Sequence, residues 1–187
     1  MQHYLLRTLQ DRAPVGELLA NIGRLTRSAR SAGVPVVYVV RVPGGQVRPV
    51  PGRDTAGRGA WRPTRPPSEA AARAVADIVQ PQPGDTVFTA KQPSSFAGTR
   101  LRARLRELAR DQLIVVGAPA RTDVLLTATD AGTQELRPFV VADAVVDETA
   151  GDHATAVRRL AAICAAVTLT DRVVGAFGAG REDAAAG

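Results

Sequence analysis

The chain has 187 residues, enough for one α/β domain and little more. Hydrophobic residues make up 45% and charged residues 22%, which excludes wholesale disorder, and no apolar run approaches the ~18 residues of a membrane span. The formal charge is +6, and one lysine stands among 24 basic residues, at Lys91. A single cysteine, Cys164, excludes a disulfide framework and a cysteine-based metal site. His3 and His153 are the only histidines, so no multi-histidine metal centre is expected. Nothing in the pattern implies an organic cofactor. The opening Met1-Gln2-His3-Tyr4 has no basic, apolar leader pattern, so a cytoplasmic location is expected.

Taken in chain order, apolar residues at Val15, Leu18, Leu19, Ile22 and Leu25 have helical spacing, so 14–32 reads as a helix with Gly33 as its stop. The run PVVYVV, 35–40, reads as a strand. Residues 42–67 are rich in Gly, Pro and Arg and read as a long loop. A helix is expected over 68–79, a strand over 85–89 and a helix over 99–109. QLIVVG, 112–117, reads as a buried strand, 122–132 as a helix, and RPFVVA, 137–142, as a strand. A helix over 152–163, a last strand over 164–169 and a short turn over 170–174 follow. Residues 178–187, GAGREDAAAG, have the composition of a mobile tail beyond a domain of residues 1–177.

Strands that alternate with helices and are apolar on both faces predict a parallel sheet covered on each side, a three-layer α/β/α sandwich. Ligands of such sheets bind beyond the carboxyl ends of the strands. That directs attention to Arg41, Lys91, the stretch Ala118 to Asp123, and Asp143. Lys91 is a compact point charge in a chain that otherwise uses arginine, and it is placed to hold an anion or shift a neighbour's pKa. Gly117 to Ala131 reads as strand, tight turn and helix start, whose backbone N–H groups would suit an anion. Ala118-Pro119 lies in that turn, where a cis bond fits. Asp123 falls in the first helical turn, where the ordinary role of a carboxylate is to cap or to favour the helix dipole. Asp143 and Asp147 read as caps of backbone N–H groups and His153 as a surface residue. Ser94, Ser95 and Phe96 are candidates to line a pocket, but Ser95 has no base nearby to activate it. Arg41, Arg48, Arg53, Arg58, Arg62 and Arg65 outnumber Asp54 in the loop. Trp61 is the only aromatic there and no base-reading motif is present, so a lid over an anionic ligand fits better than a nucleic-acid surface.

These residues resemble the isochorismatase-like hydrolase superfamily. MQHYLL is similar to the end of the family's Asp-Met-Gln-x-Tyr-Phe motif, and AKQPSSFAGTRLRARLRELARDQLIVVG to its lysine segment. GAPARTDVLLTATDA and RPFVVADAVVDET resemble its next two blocks. The resemblance implies an α/β/α fold with a mostly parallel six-stranded sheet, often as homo-oligomers. It implies hydrolysis of a small, anionic substrate of the isochorismate type, a vinyl ether, in secondary metabolism. Lys91 matches the family lysine, whereas the position of the nucleophilic cysteine in the family's cysteine hydrolases is Asp123. Cys164 lies elsewhere, in an apolar stretch, so no thiol mechanism is implied. Lys91 and Asp123 are therefore the candidate catalytic groups. Tyr4, Arg41, Trp61, Phe96, Ala118, Pro119 and Arg121 are candidates to contact substrate. Pro119 and Arg41 stand where isochorismatases often have tyrosine and glutamine.

The family's catalytic aspartate would immediately precede Met1, at the end of a first strand that is central in the sheet. Without that strand two sheet edges would face each other unpaired, each orphaned backbone group costing about 1–3 kcal/mol. Either a strand precedes Met1, which a match running to the first residue favours, or another chain closes the sheet. The alternative function is a catalytically degenerate relative that binds without turnover.

Overall fold

The computed structural model describes residues 1–9, 13–42 and 74–185. Most of the arginine-rich loop, including Trp61, therefore lies outside the described residues, as does the first half of the helix expected over 68–79.

Helix α1 (His3–Leu9) is followed by α2 (Val15–Ser31), whose Leu18, Ile22, Leu25 and Ala29 are buried on one stripe. Gly33, at φ +66°, ends α2. The N–H of Val34 reaches the carbonyl of Ala29, and that of Gly33 reaches Arg30, a Schellman stop that satisfies two terminal carbonyls. Strand β1 (Val37–Arg41) pairs in parallel with β2 (Thr86–Ala90). The Arg30 guanidinium bridges α2 to this pair, bonding the Asp85 carboxylate at 2.6 Å and the Tyr38 hydroxyl at 3.1 Å.

A second parallel sheet runs β3 (Gln112–Gly117), β4 (Arg137–Val145), β5 (Ala166–Thr168). Helices α3 (Leu101–Glu107), α4 (Leu125–Thr133) and α5 (Ala150–Ile163) belong to one outer layer. Helix α6 (Thr170–Ala185) joins α2 in the other. Strand β4 shows the layering residue by residue. Val140 and Val145 pack with Val124, Ala128 and Leu160 on one face, whereas Val141 and Ala144 pack with Ile22, Leu25 and Val173 on the other. The α/β/α architecture with parallel strands is thus as expected from strands apolar on both faces.

The sheet is split. Strand β1 pairs only with β2 and β3 only with β4, so the two sheets present facing edges with no strand between them among the described residues.

Three local expectations are corrected. Residues 74–79 do not continue a helix: Val75 makes an antiparallel bridge to Gln2, and a single 3-10 turn spans Asp77–Val79. The Ala76 N–H donates to the Met1 carbonyl at 2.8 Å, so pairing with the first residues overrides local propensity. The segment 3–9, assigned no element from its pattern, is helical and buries Leu5, Leu6 and Leu9. The supposed short turn and mobile tail form one helix, Thr170–Ala185, because Val173, Val174 and Phe177 pack into the α2 layer despite the glycines around them. No helix among the described residues is long and apolar enough to cross a membrane.

Candidate active site

The carboxyl ends of β1, β2 and β3 deliver Arg41, Ala90 and Gly117 to one side of the molecule. There they meet the mouth of a cavity of about 590 Å³ that continues between the two sheets. After Gly117 the Ala118-Pro119 bond is cis, as the tight turn suggested. A single wide helical turn with π-type bonding, Ala120–Val124, then leads into α4.

This turn is strapped to the end of β4. The Ala120 N–H donates to the Val146 carbonyl at 2.9 Å and the Arg121 N–H to the Asp147 carboxylate at 2.7 Å. Asp147 is fully buried and its other oxygen accepts the Glu148 N–H. Three backbone donors of this turn are therefore used within the protein, the Val124 N–H being taken by the Pro119 carbonyl. Their work is to fix where Asp123 points.

Asp123 lines the cavity, and its cation is Arg41 rather than Lys91. One Arg41 nitrogen, Nη1, lies 3.0 Å from both carboxylate oxygens. The Thr122 hydroxyl donates to the same carboxylate at 3.2 Å. Burial nevertheless outweighs these partners and raises the Asp123 pKa to about 6. The result is a carboxyl group that is part protonated near neutral pH, the property a general acid requires.

The other sequence-selected residues divide. Ala118 and Pro119 line the cavity with Asp123. Lys91 is the exposed first residue after β2, at the rim beside the lining residues Ala90 and Pro93. Phe96 is not brought to the cavity: it packs with Leu101, Leu105 and Ala131. Nor is Arg121, whose guanidinium is committed to Asp147 at 3.2 Å, Glu148 at 3.3 Å and Asp152 at 2.7 Å. A cation with three carboxylates around it gains little from a substrate anion. Tyr4 lies in α1, and Trp61 lies outside the described residues. Asp143 accepts from the N–H and hydroxyl of Thr170, a cap on α6. His153 is half-buried rather than on the surface. Cys164 is half-buried at the end of α5, 3.7 Å from the Thr129 hydroxyl, and does not line the cavity.

Two contributors lie within the family-like blocks MQHYLL and GAPARTDVLLTATDA but were not among the candidate site residues. Gln2 is buried, and its side-chain amide clasps the backbone of Arg41: Nε2 donates to the carbonyl at 2.6 Å and Oε1 accepts the N–H at 2.9 Å. Thr127, on α4, accepts the Ser95 N–H at 3.0 Å and donates to the Ser95 hydroxyl, pinning the loop after β2 at the cavity wall. Both link positions more than 30 residues apart, beyond the reach of local pattern.

The isochorismatase domain model matches residues 1–172. The chain belongs to the isochorismatase family. It is 37% identical over 176 residues to a probable isochorismatase of Pseudomonas chlororaphis, covering 93% of this chain and 81% of that protein. The phenazine biosynthesis protein PhzD of Pseudomonas fluorescens matches with the same identity and coverage. Among solved structures, an isochorismatase from Pseudomonas putida KT2440 superposes with a TM-score of 0.66 at 28% identity, over 84% of this chain and 78% of that one. These relatives lend no support to the alternative of a binding protein without activity. In this family member, then, the cavity mouth at the carboxyl ends of the strands is the place to look for chemistry.

Proposed function

We propose that the protein is a hydrolase of the isochorismatase type that cleaves the vinyl ether of a small anionic substrate, in the biosynthesis of a secondary metabolite. The observation that carries the reading is Asp123: a carboxyl with a pKa near 6, lining the cavity, held by Arg41 and aimed by a strapped turn. Relatives named for phenazine biosynthesis and as isochorismatases support the substrate class.

In the proposed reaction neutral Asp123 gives its proton to the terminal carbon of the enol-pyruvyl group. The ether oxygen stabilises the resulting cation, water adds to the carbon bearing that oxygen, and the hemiketal collapses to pyruvate and an alcohol. The proton returned by water restores the acid. Arg41 stabilises the carboxylate left behind, and Lys91 at the rim attracts the substrate's carboxylates.

The test is pyruvate release from isochorismate, followed with coupled lactate dehydrogenase. The protein should produce pyruvate, and Asp123→Asn should lose at least ~100-fold in kcat. Lys91→Ala should act mainly through KM, with the loss shrinking in high salt. No pyruvate from the wild-type chain overturns the reading. Turnover retained in Asp123→Asn removes Asp123 as the acid.

A further inference from the structure

Lys91 stands one residue beyond the β1–β2 ladder, and the chain is fixed on both sides of it. Before it, Ala90 pairs with Arg41, and the Ala90 carbonyl accepts the Val42 N–H at 3.0 Å. After it, only Gln92 and Pro93 precede Ser94, which is buried. Pro93 sets its own φ and restricts Gln92. A span this short, with a proline in it, has little freedom between two fixed ends.

What fixes the far end is α4. The Ser94 hydroxyl donates to the Asp130 carboxylate. The Ser95 N–H donates to the Thr127 hydroxyl at 3.0 Å, and that hydroxyl donates to the Ser95 hydroxyl at 3.1 Å. Phe96 packs into the cluster that includes Ala131. The Phe96 N–H returns to the Ser94 hydroxyl at 3.3 Å and the Ala97 N–H to the Ser94 carbonyl at 3.2 Å. Asp130 therefore orients a hydroxyl that also organises the turn after it. Thr127, Asp130 and Ala131 follow Asp123 by four, seven and eight residues, the spacing of one helix face. The carboxyl that lines the cavity and the seats of the lysine loop thus project from one side of one continuous helical segment. This polar stripe does not hold the segment to the sheet. Val124 and Ala128 do that, packing with Val140 and Val145 of β4.

We propose that Asp130 and Thr127 are positioning residues that, acting through Ser94 and Ser95, set Lys91 at a fixed separation from Asp123. The inference rests on the reading of Lys91 as the cation that draws the substrate's carboxylates. A cation at a fixed separation from the acid registers the substrate, with a carboxylate at the rim and the enol-pyruvyl carbon at Asp123. Freeing the loop loses that register, and a misplacement of about 1 Å can cost ~100-fold in rate.

The test uses Lys91 as its own reporter. It is the only lysine, so reductive methylation with 13C-formaldehyde labels it and the terminal amine alone and keeps its charge. Asp130→Ala should shift and sharpen the Lys91 methyl resonance. It should also speed amide exchange at Ser95, Phe96, Ala97 and Thr99 by at least ~100-fold, with exchange in β3 and β4 as in wild type. Asp130→Asn, whose amide oxygen still accepts the Ser94 hydroxyl, should restore both. In the pyruvate assay Asp130→Ala should lose at least ~10-fold in kcat/KM where Lys91 is present, and less than ~2-fold where it is already alanine. A purely structural role would cost the same in both backgrounds. Thr127→Val should behave as Asp130→Ala does, and it carries the comparison if that variant fails to fold. An unchanged Lys91 resonance with unchanged loop exchange, or equal kcat/KM losses in the two backgrounds, overturns the proposal. Resonance and exchange are read without substrate, so they decide the positioning role even where the wild-type chain releases no pyruvate and the proposed function falls.

Discussion

Replacing Asp123 by asparagine tests the electrostatics of the site independently of turnover. Asp123 titrates near pH 6 in the folded chain against 3.8 for the ordinary group. A displacement of that size corresponds to about 3 kcal/mol of preference for the neutral form. Its side chain is 19% exposed, so solvent screening trims this only modestly. The sign follows from proton linkage. Between pH 4 and 6 the folded chain holds the proton more tightly than the unfolded chain. Stability from this group is therefore greatest below pH 4 and is lost as pH rises through 6. Asparagine is neutral throughout and close in shape to the protonated acid. The stability difference between Asp123→Asn and wild type should then be small at pH 4 and should grow to as much as about 3 kcal/mol in favour of the variant at pH 8. Urea unfolding at a series of pH values measures it, and titrations common to both proteins cancel in the difference. A flat profile, or a variant that becomes less stable than wild type as pH rises, would show that Arg41 outweighs burial. Asp123 would then be an ordinary carboxylate and a poor acid.

Other consequences follow from the same contacts. Asp147→Ala takes the acceptor from the Arg121 and Glu148 N–H groups and one of three acids from the Arg121 guanidinium, and should cost about 2–5 kcal/mol in urea unfolding while also displacing Asp123. Leu160→Ala, at a fully buried position between α5 and β4, should cost about 2–5 kcal/mol with little change in substrate KM. The buried Met1 amine has the opposite linkage to Asp123. Its folded pKa is depressed, so its contribution is complete above pH 8 and is lost as pH falls through 6. N-terminal acetylation, followed by Tm against pH, should remove that dependence.

Local pattern determined most of the framework. The helical stripe of Leu18, Ile22 and Leu25, the apolar run Gln112–Gly117 and the alternation of helices and strands sufficed for a parallel α/β/α chain. They suffice because 3.6-residue periodicity and two-faced apolar strands record burial directly. The carboxyl ends of the strands, and with them Asp123, were legible for the same reason. Residues 74–79 and 170–185 were not, because their conformations are set by Gln2 and by the α2 layer, far away in sequence. Which cation serves which carboxylate was also beyond the sequence. Arg41 and Asp123 are 82 positions apart, and Arg121, two residues from Asp123, turns away to three other acids. Charge type is written in the chain. The pairing of charges, the burial that lifts one carboxyl toward pH 6 and the opening between two sheet edges exist only once distant segments are packed, because each depends on what surrounds a group rather than on what it is.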